Sequence, residues 1–198
     1  YDNGNLSGLQ LWNVKSGEKF TINVDGEEVK QGITTPKRSE KVYHVNTAEG
    51  LVHLSDVITN GYYKDNELKN DFSVGREFIL TSDIDMSGIE FTPIGRLALE
   101  FGFRGTFDGG NHTISNLTAS DFTPENAAAG LFGKLYGNVK NLILKDVNIK
   151  SSHWAGGIAG YVGDETGAII ENCKVIGGTV TSIPEQIGSK WDNGDKAG

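Results

Sequence analysis

The stretch "GLFGKLYGNVKNLIL", residues 130–144, is followed closely by "GGIAGYVGDETGAIIENCKV", residues 156–175. Gly130 and Gly133 of the first recur as Gly157 and Gly160 of the second, both at an offset of 27 (157 minus 130). An apolar-x-Asn-apolar element occurs three times, as Ile114-Ser-Asn116-Leu117, Val139-Lys-Asn141-Leu142 and Ile170-Glu-Asn172-Cys173. The first two are 25 apart (141 minus 116) and the last two 31 apart (172 minus 141), with the additional residues placed near Asp164 to Thr166. Self-similarity at tens of residues marks a repeat architecture.

A repeat this short has no room for two helices and their turns. Its β-branched residues come in pieces of a few residues punctuated by Gly and Asn, so each repeat is most simply one coil of a β-solenoid. Stacking spaces equivalent residues by about 4.8 Å, which turns each column of the alignment into a column in space. Leu117, Leu142 and Cys173 are expected inside, and Asn116, Asn141 and Asn172 are expected as an amide ladder at a corner. The glycines mark bends that need positive φ or close backbone approach.

Working outward, "NTAEGLVHLSDVITNG" places Leu51, Leu54, Val57 and Ile58 on one helical face, with Thr47 as the cap and Asn60-Gly61 as the stop. A helix over 47–59 suits the end of a solenoid, where an open core must be covered. Before it, Phe20, Ile22 and Val24 alternate into Asp25-Gly26, a hairpin signal, and "TPKRSEK", Thr35 to Lys41, reads as a loop or linker. The expected division is therefore 1–43, a β-hairpin and linker segment that could close a preceding domain, and 44–198, the solenoid. The chain stops at an Ala-Gly like the one opening the repeat, so the protein is expected to continue.

The chain has 18 basic and 26 acidic residues, a net charge of −8, which argues against a phosphate-backbone ligand. Nucleic acid is not an expected partner. With 27 glycines, 4 prolines and 37% hydrophobic residues, it should fold and turn often. One cysteine, Cys173, excludes an internal disulfide framework. No apolar run approaches the roughly 20 residues of a membrane span. Nothing in the sequence addresses the oligomeric state.

The residues "GLFGKLYGNVKNLIL", the diverged "GGIAGY" with "IENCKV", and the upstream "FILTSDIDMSGIEFTPIG" and "FRGTFDGGNHTISNLT" together resemble the GLUG-motif family of bacterial surface proteins. The resemblance covers roughly Val45 to Gly198. It implies a right-handed parallel β-helix on an exported, cell-surface protein of adhesin-like character, a motif that also occurs beside peptidase domains. It carries no common catalytic residues.

Residues able to carry chemistry are correspondingly few. No His-Glu-x-x-His is present, and His44, His53, His112 and His153 lack ligand spacing, so neither a metal nor a cofactor is expected. Cys173 falls in an inward column and reads as a small hydrophobe. Asp83 and Asp85 read as turn residues rather than an EF-hand. Asp121 and Asp146 are 25 apart (146 minus 121), the first repeat offset, which makes them the candidate pair if the chain is a β-helix enzyme. Tyr136, Trp154, Tyr161 and Trp191 lie near turns, where aromatic rings on a flat face can stack on sugars.

Three functions remain open on these residues. The first is a non-catalytic, extracellular module presenting loops to a glycan or to a host or extracellular-matrix protein. The second is a β-helix polysaccharide lyase or glycoside hydrolase using Asp121 and Asp146. The third is an accessory region of a larger surface protease.

Overall fold

The computed structural model describes residues 42–61, 72–96, 101–124, 126–163 and 167–183 in full, and the backbone of short strands outside those ranges. Its body is a parallel β-solenoid of about three turns with a single helix near the N-terminus among the described residues. Residues two apart on a strand share a face, and the burial follows that rule: Phe78 and Leu80 of Glu77–Leu80 are buried while Glu77 and Ile79 are half-exposed.

Each coil contributes to the same three faces. On the first, Val42–Val45, Glu77–Leu80, Thr106–Asp108, Asn138–Lys140 and Ile170–Glu171 pair in parallel, so that Tyr43, Phe78, Phe107, Val139 and Ile170 form one column. On the second, Thr113–Ser115 and Thr118–Asp121 pair with successive halves of Ile143–Ser151, which pairs in turn with Lys174–Ser182. On the third, Ala128–Ala129 pairs with Trp154–Ala155 and Phe132–Leu135 with Ala159–Val162.

Aromatic rings fill the interior. Phe103 lies 5.7 Å from Phe78, 6.5 Å from Phe107 and 5.0 Å from Phe132, ring centroid to centroid, in tilted and edge-on arrangements. All four rings are completely buried. Each contributes roughly 1.5–3 kcal/mol of transfer free energy, and Phe78 and Phe103 come from one coil and Phe107 and Phe132 from the next, so the coils are welded through side chains as well as through backbone ladders.

The helix Ala48–Asn60 begins where the sequence indicates: the Thr47 side chain accepts from the Gly50 N–H at 3.1 Å, and Gly61 ends it with φ of 72°. Leu51, Leu54, Val57 and Ile58 are buried in the common core. One edge of that stripe, where Ser55 and Thr59 are also buried, is stapled to the first coil. Ser55 Oγ donates to the Thr92 carbonyl at 2.5 Å, and Thr59 Oγ1 donates to the Pro93 carbonyl at 3.0 Å while accepting from the Gly95 N–H at 2.9 Å.

The expected hairpin spans Lys19–Val24 and Glu27–Thr34, with Val24 opposite Glu27; Asp25 and Gly26, read as its turn, lie outside the described residues. Glu27–Thr34 then pairs antiparallel with Val42–Val45, so these strands join the first face of the solenoid in one sheet. The boundary drawn at residue 43 falls inside the strand Val42–Val45. The stretch 35–41, read as a linker, lies outside the described residues.

The register departs from the expected alignment in one place. Asn141 and Asn172 do share a column at an offset of 31, next to Val139 and Ile170. Asn116 does not belong to it. Ser115 pairs with Lys145 and Thr118 with Asn148, which places Asn116 opposite Asp146 at an offset of 30 (146 minus 116). The physical reason is the turn Gly109-Gly110-Asn111. Between the first and second faces, the offset falls from 32 (Lys140 minus Asp108) to 30 (Ile143 minus Thr113), so the earlier coil has two residues more at this corner than the later one. Leu117 is buried as expected, but in the column of Val147 and Gly178 rather than that of Leu142 and Cys173.

The other inferred insertion agrees with the pairings. Offsets rise from 27 (Val162 minus Leu135) to 31 (Ile170 minus Val139), which places four additional residues between Val162 and Ile170. The stretch 164–166 itself lies outside the described residues.

Candidate aromatic ligand site and its surroundings

Trp154 and Tyr161 are brought together on the third face. Their ring centroids are 5.8 Å apart at an interplanar angle of 67°, and the His153 ring lies 5.6 Å from Trp154. The arrangement follows from the rungs: Trp154 lies beside Ala128, and Tyr161 beside Lys134. The coils approach closely here, since a Cβ on Gly160 would sit 2.6 Å from the Ala129 nitrogen. All three rings are half-buried, which fixes their orientation and leaves part of each open to solvent. The backbone is pinned as well, with Ser182 Oγ donating to the His153 carbonyl at 3.0 Å and the Ser152 hydroxyl 3.1 Å from His153 Nδ1. An edge-to-face pair of this kind offers a ring face to the C–H side of a sugar and polar neighbours to its hydroxyls.

Tyr136, expected as an exposed aromatic, is buried, with 5% of its surface accessible. Its ring occupies a slot left by two glycines of adjacent coils. A Cβ on Gly102 would reach the ring at 2.7 Å, and one on Gly163 would collide with its other edge. The Arg104 guanidinium carbon and Lys134 Nζ lie 4.6 and 4.9 Å from its centroid. Tyr136 is therefore a support for cations, not a platform for sugar. Trp191 belongs to the strand Lys190–Trp191, paired with Gln186–Ile187, but its side chain lies outside the described residues.

Asp121 and Asp146 are not one rung apart. Asp121 pairs with Ser151, five residues beyond Asp146 on that strand, a separation on the order of 15 Å. Asp121 is consumed by its own turn: Oδ1 accepts from the Thr123 N–H at 2.9 Å and hydroxyl at 2.6 Å, and Oδ2 accepts from the Ala128 N–H at 2.9 Å. The 25-residue offset that suggested the pair came from the misaligned Asn116 column.

The corner amides make contacts between coils. Asn116 Nδ2 donates to Asp85 Oδ1 at 2.8 Å, Asn141 Nδ2 to Asp108 Oδ1 at 3.1 Å, and Asn172 Nδ2 to Asn141 Oδ1 at 3.5 Å. Asn116, Asn141 and Asn172 all have φ between 53° and 57°, a conformation Asn tolerates better than other residues with a Cβ. Asp85 and Asp83 are turn acceptors: Asp85 also takes the Ser87 N–H and hydroxyl, and Asp83 takes the Thr113 N–H at 2.9 Å and lies 3.2 Å from His112 Nδ1. These bonds hold both carboxyls below the usual range, led by Asn116 for Asp85 and by the Thr113 N–H for Asp83. Among the described residues, no three His, Cys, Asp or Glu side chains converge as metal ligands. Burial pushes the half-buried Cys173 thiol up, away from the thiolate.

The sequence reading missed a set of cations on the first face. Arg76 and Arg104 precede successive rungs, in "REF" and "RGTF", 28 residues apart (104 minus 76) where the rungs themselves are 29 apart (Phe107 minus Phe78). Lys140, on the next rung, contacts Glu77 at 3.2 Å and Asp108 at 3.3 Å, and these partners raise its ammonium above the usual lysine value. The recurrence of Arg just before two strands was the available signal.

No family model matches the chain, and no curated protein does. Among solved structures, it is similar to one from Bacteroides ovatus described as "a putative immunoglobulin A1 protease", with a TM-score of 0.53 and 22% identity. The match covers 75% of this chain and 40% of that one, so this chain spans less than half of its neighbour's length. The likeness is one of fold, and it agrees with the solenoid described above.

Proposed function

We propose that the chain is a non-catalytic β-solenoid module of an exported bacterial surface protein, of GLUG-motif type, that binds glycan through Trp154 and Tyr161. The observation that carries this reading is the half-buried edge-to-face pair on the outer surface, 5.8 Å between centroids, positioned by backbone rungs rather than by a loose loop. A rigid aromatic ledge loses little entropy on binding, which suits recognition by stacking. The dispersal of Asp121 and Asp146 takes away the residues on which an enzymatic reading rested.

A glycan array probed with the chain and with Trp154→Ala tests it. Saturable binding that is lost in the variant, while the variant's melting temperature is retained, supports the reading. Binding that survives the substitution moves recognition elsewhere, and release of sugar products would reopen the enzymatic alternative.

A second reading, an accessory region of a larger surface protease, is favoured by what the B. ovatus neighbour is described to be. Its test is the full-length gene product. A protease domain on the same chain whose cleavage of a protein substrate slows when this module is deleted would support it.

A further inference from the structure

A cleft of about 560 Å³ opens on the outer surface, at the corner where one coil's third face leads into the next coil's first. Three cations line it, Arg76, Arg104 and Lys140, in a protein of net charge −8. Lys140 is engaged by Glu77 and Asp108. Arg76 donates to the Phe72 carbonyl at 2.5 Å and lies 5.1 Å from the Phe72 ring centroid.

Arg104 is different. Its guanidinium rests on Tyr136, whose ring is itself locked between Gly102 and Gly163, and its one side-chain hydrogen bond among the described residues is a long one, 3.5 Å, to the Gly102 carbonyl. Among the described residues no carboxylate lies within ion-pairing distance of it. A guanidinium stacked on a fixed ring is pre-organised, and its edge presents the two parallel N–H groups that match a planar carboxylate.

We propose that this cleft binds the carboxylate of an acidic saccharide, with Arg104 as the bidentate anchor. The rest of the lining favours sugar over other anions. Asn138 Oδ1 accepts from the Ile169 N–H at 3.0 Å, which directs its amide nitrogen to act as a donor, and the Thr106 hydroxyl lies on the adjoining rung. Both suit hydroxyl groups. Glu77, also in the lining, accepts from hydroxyls but repels a second carboxylate placed close to the anchored one. A saccharide, whose ring hydroxyls stand between one carboxylate and the next, fits that pattern, and an acidic peptide, which offers carboxylates without hydroxyls, does not. Neither Trp154 nor Tyr161 lines the cleft, so this site and the aromatic one fail independently.

The experiment is titration of the chain, followed by heteronuclear NMR, with trigalacturonate, a hyaluronan tetrasaccharide and 3′-sialyllactose, alongside methyl-esterified trigalacturonate and hexaglutamate. At least one acidic saccharide is expected to bind, at least about tenfold tighter than an uncharged ester of the same sugar, with salt weakening it. Arg104→Lys, which keeps the charge and loses the fork, should weaken it about as much as Arg104→Gln, and Trp154→Ala should leave it unchanged. Should Arg104→Gln melt early, the comparison of acid with ester on the unaltered protein and the Arg104→Lys variant still decide the matter. The proposal is overturned if none of the three binds below a Kd on the order of 10 mM, if ester and acid bind alike, if hexaglutamate binds as well, or if Arg104→Lys changes nothing.

Discussion

Asp146 stands in one coil where Asn116 stands in the coil before it, and the two share a left-handed backbone, with φ of 53° and 57°. The next coil places Gly177 there, with φ of 71°. Asn, Asp and Gly are the residue types that adopt this conformation at least cost, so the column is defined by backbone geometry and not by a shared side-chain chemistry. Asp146→Asn is expected to leave stability within about 0.5 kcal/mol and any binding unchanged, whereas Asp146→Val should lose roughly 1–2 kcal/mol. Urea unfolding of the two variants checks this, and equal losses would mean that the carboxylate rather than the backbone matters.

The phenylalanine interior should dominate stability. Phe132 contacts both Phe103 and Phe107, at 5.0 and 5.6 Å between centroids, and is fully buried. Phe132→Ala is expected to lose about 3–5 kcal/mol, and Phe132→Leu much less. Thermal melts of both variants provide the comparison.

Thr47→Ala removes the side-chain acceptor of the Gly50 N–H and should lose about 1 kcal/mol, with Thr47→Ser close to unchanged. Because the helix is stapled to the first coil through Ser55 and Thr59, hydrogen exchange should rise in the Thr92–Gly95 segment as well as in the helix. Exchange confined to the helix would show that the two are not coupled.

Asp85 is held below the usual carboxylate range, first by the Asn116 amide and then by Ser87. A folded pKa below the unfolded one contributes stability above the ordinary value of about 3.9, and that stability is lost as pH falls through the folded value. Asp85→Ala should therefore lower the melting temperature at pH 7, and its deficit relative to the unaltered protein should shrink as pH falls from about 5 to about 2. A deficit that is constant with pH would show that the charge is irrelevant.

Gly137 tests the corner packing. A Cβ there would collide with the Gly105 carbonyl oxygen and lie 2.8 Å from the Arg104 carbonyl carbon, both backbone atoms that cannot swing aside. Gly137→Ala is expected to destabilise by more than the few tenths of a kcal/mol typical of surface changes, while Gly167→Ser, at a site with open space but φ of 65°, should show only the backbone penalty of about 1 kcal/mol. Denaturant midpoints of the pair separate collision from conformation.

The amino-acid sequence by itself determined the repeat, the solenoid, the helix with its Thr47 cap and Gly61 stop, and the Asp25-Gly26 hairpin, because each rests on local chemistry: periodicity, capping and turn preference act over a few neighbouring residues. It also located the four-residue insertion after Val162, since glycines on one side and Asn141 and Asn172 on the other kept the frame. Only the tertiary structure decided the earlier register. Asn fits a left-handed corner on either side of a face, so Asn116 and Asn141 look equivalent in sequence, while the Gly109-Gly110-Asn111 turn sets Asn116 opposite Asp146. With that shift the Asp121 and Asp146 pair came apart. Burial of Tyr136 was equally non-local, for its slot is made by Gly102 and Gly163 from coils on either side, and the absence of two side chains becomes visible only when the coils are stacked.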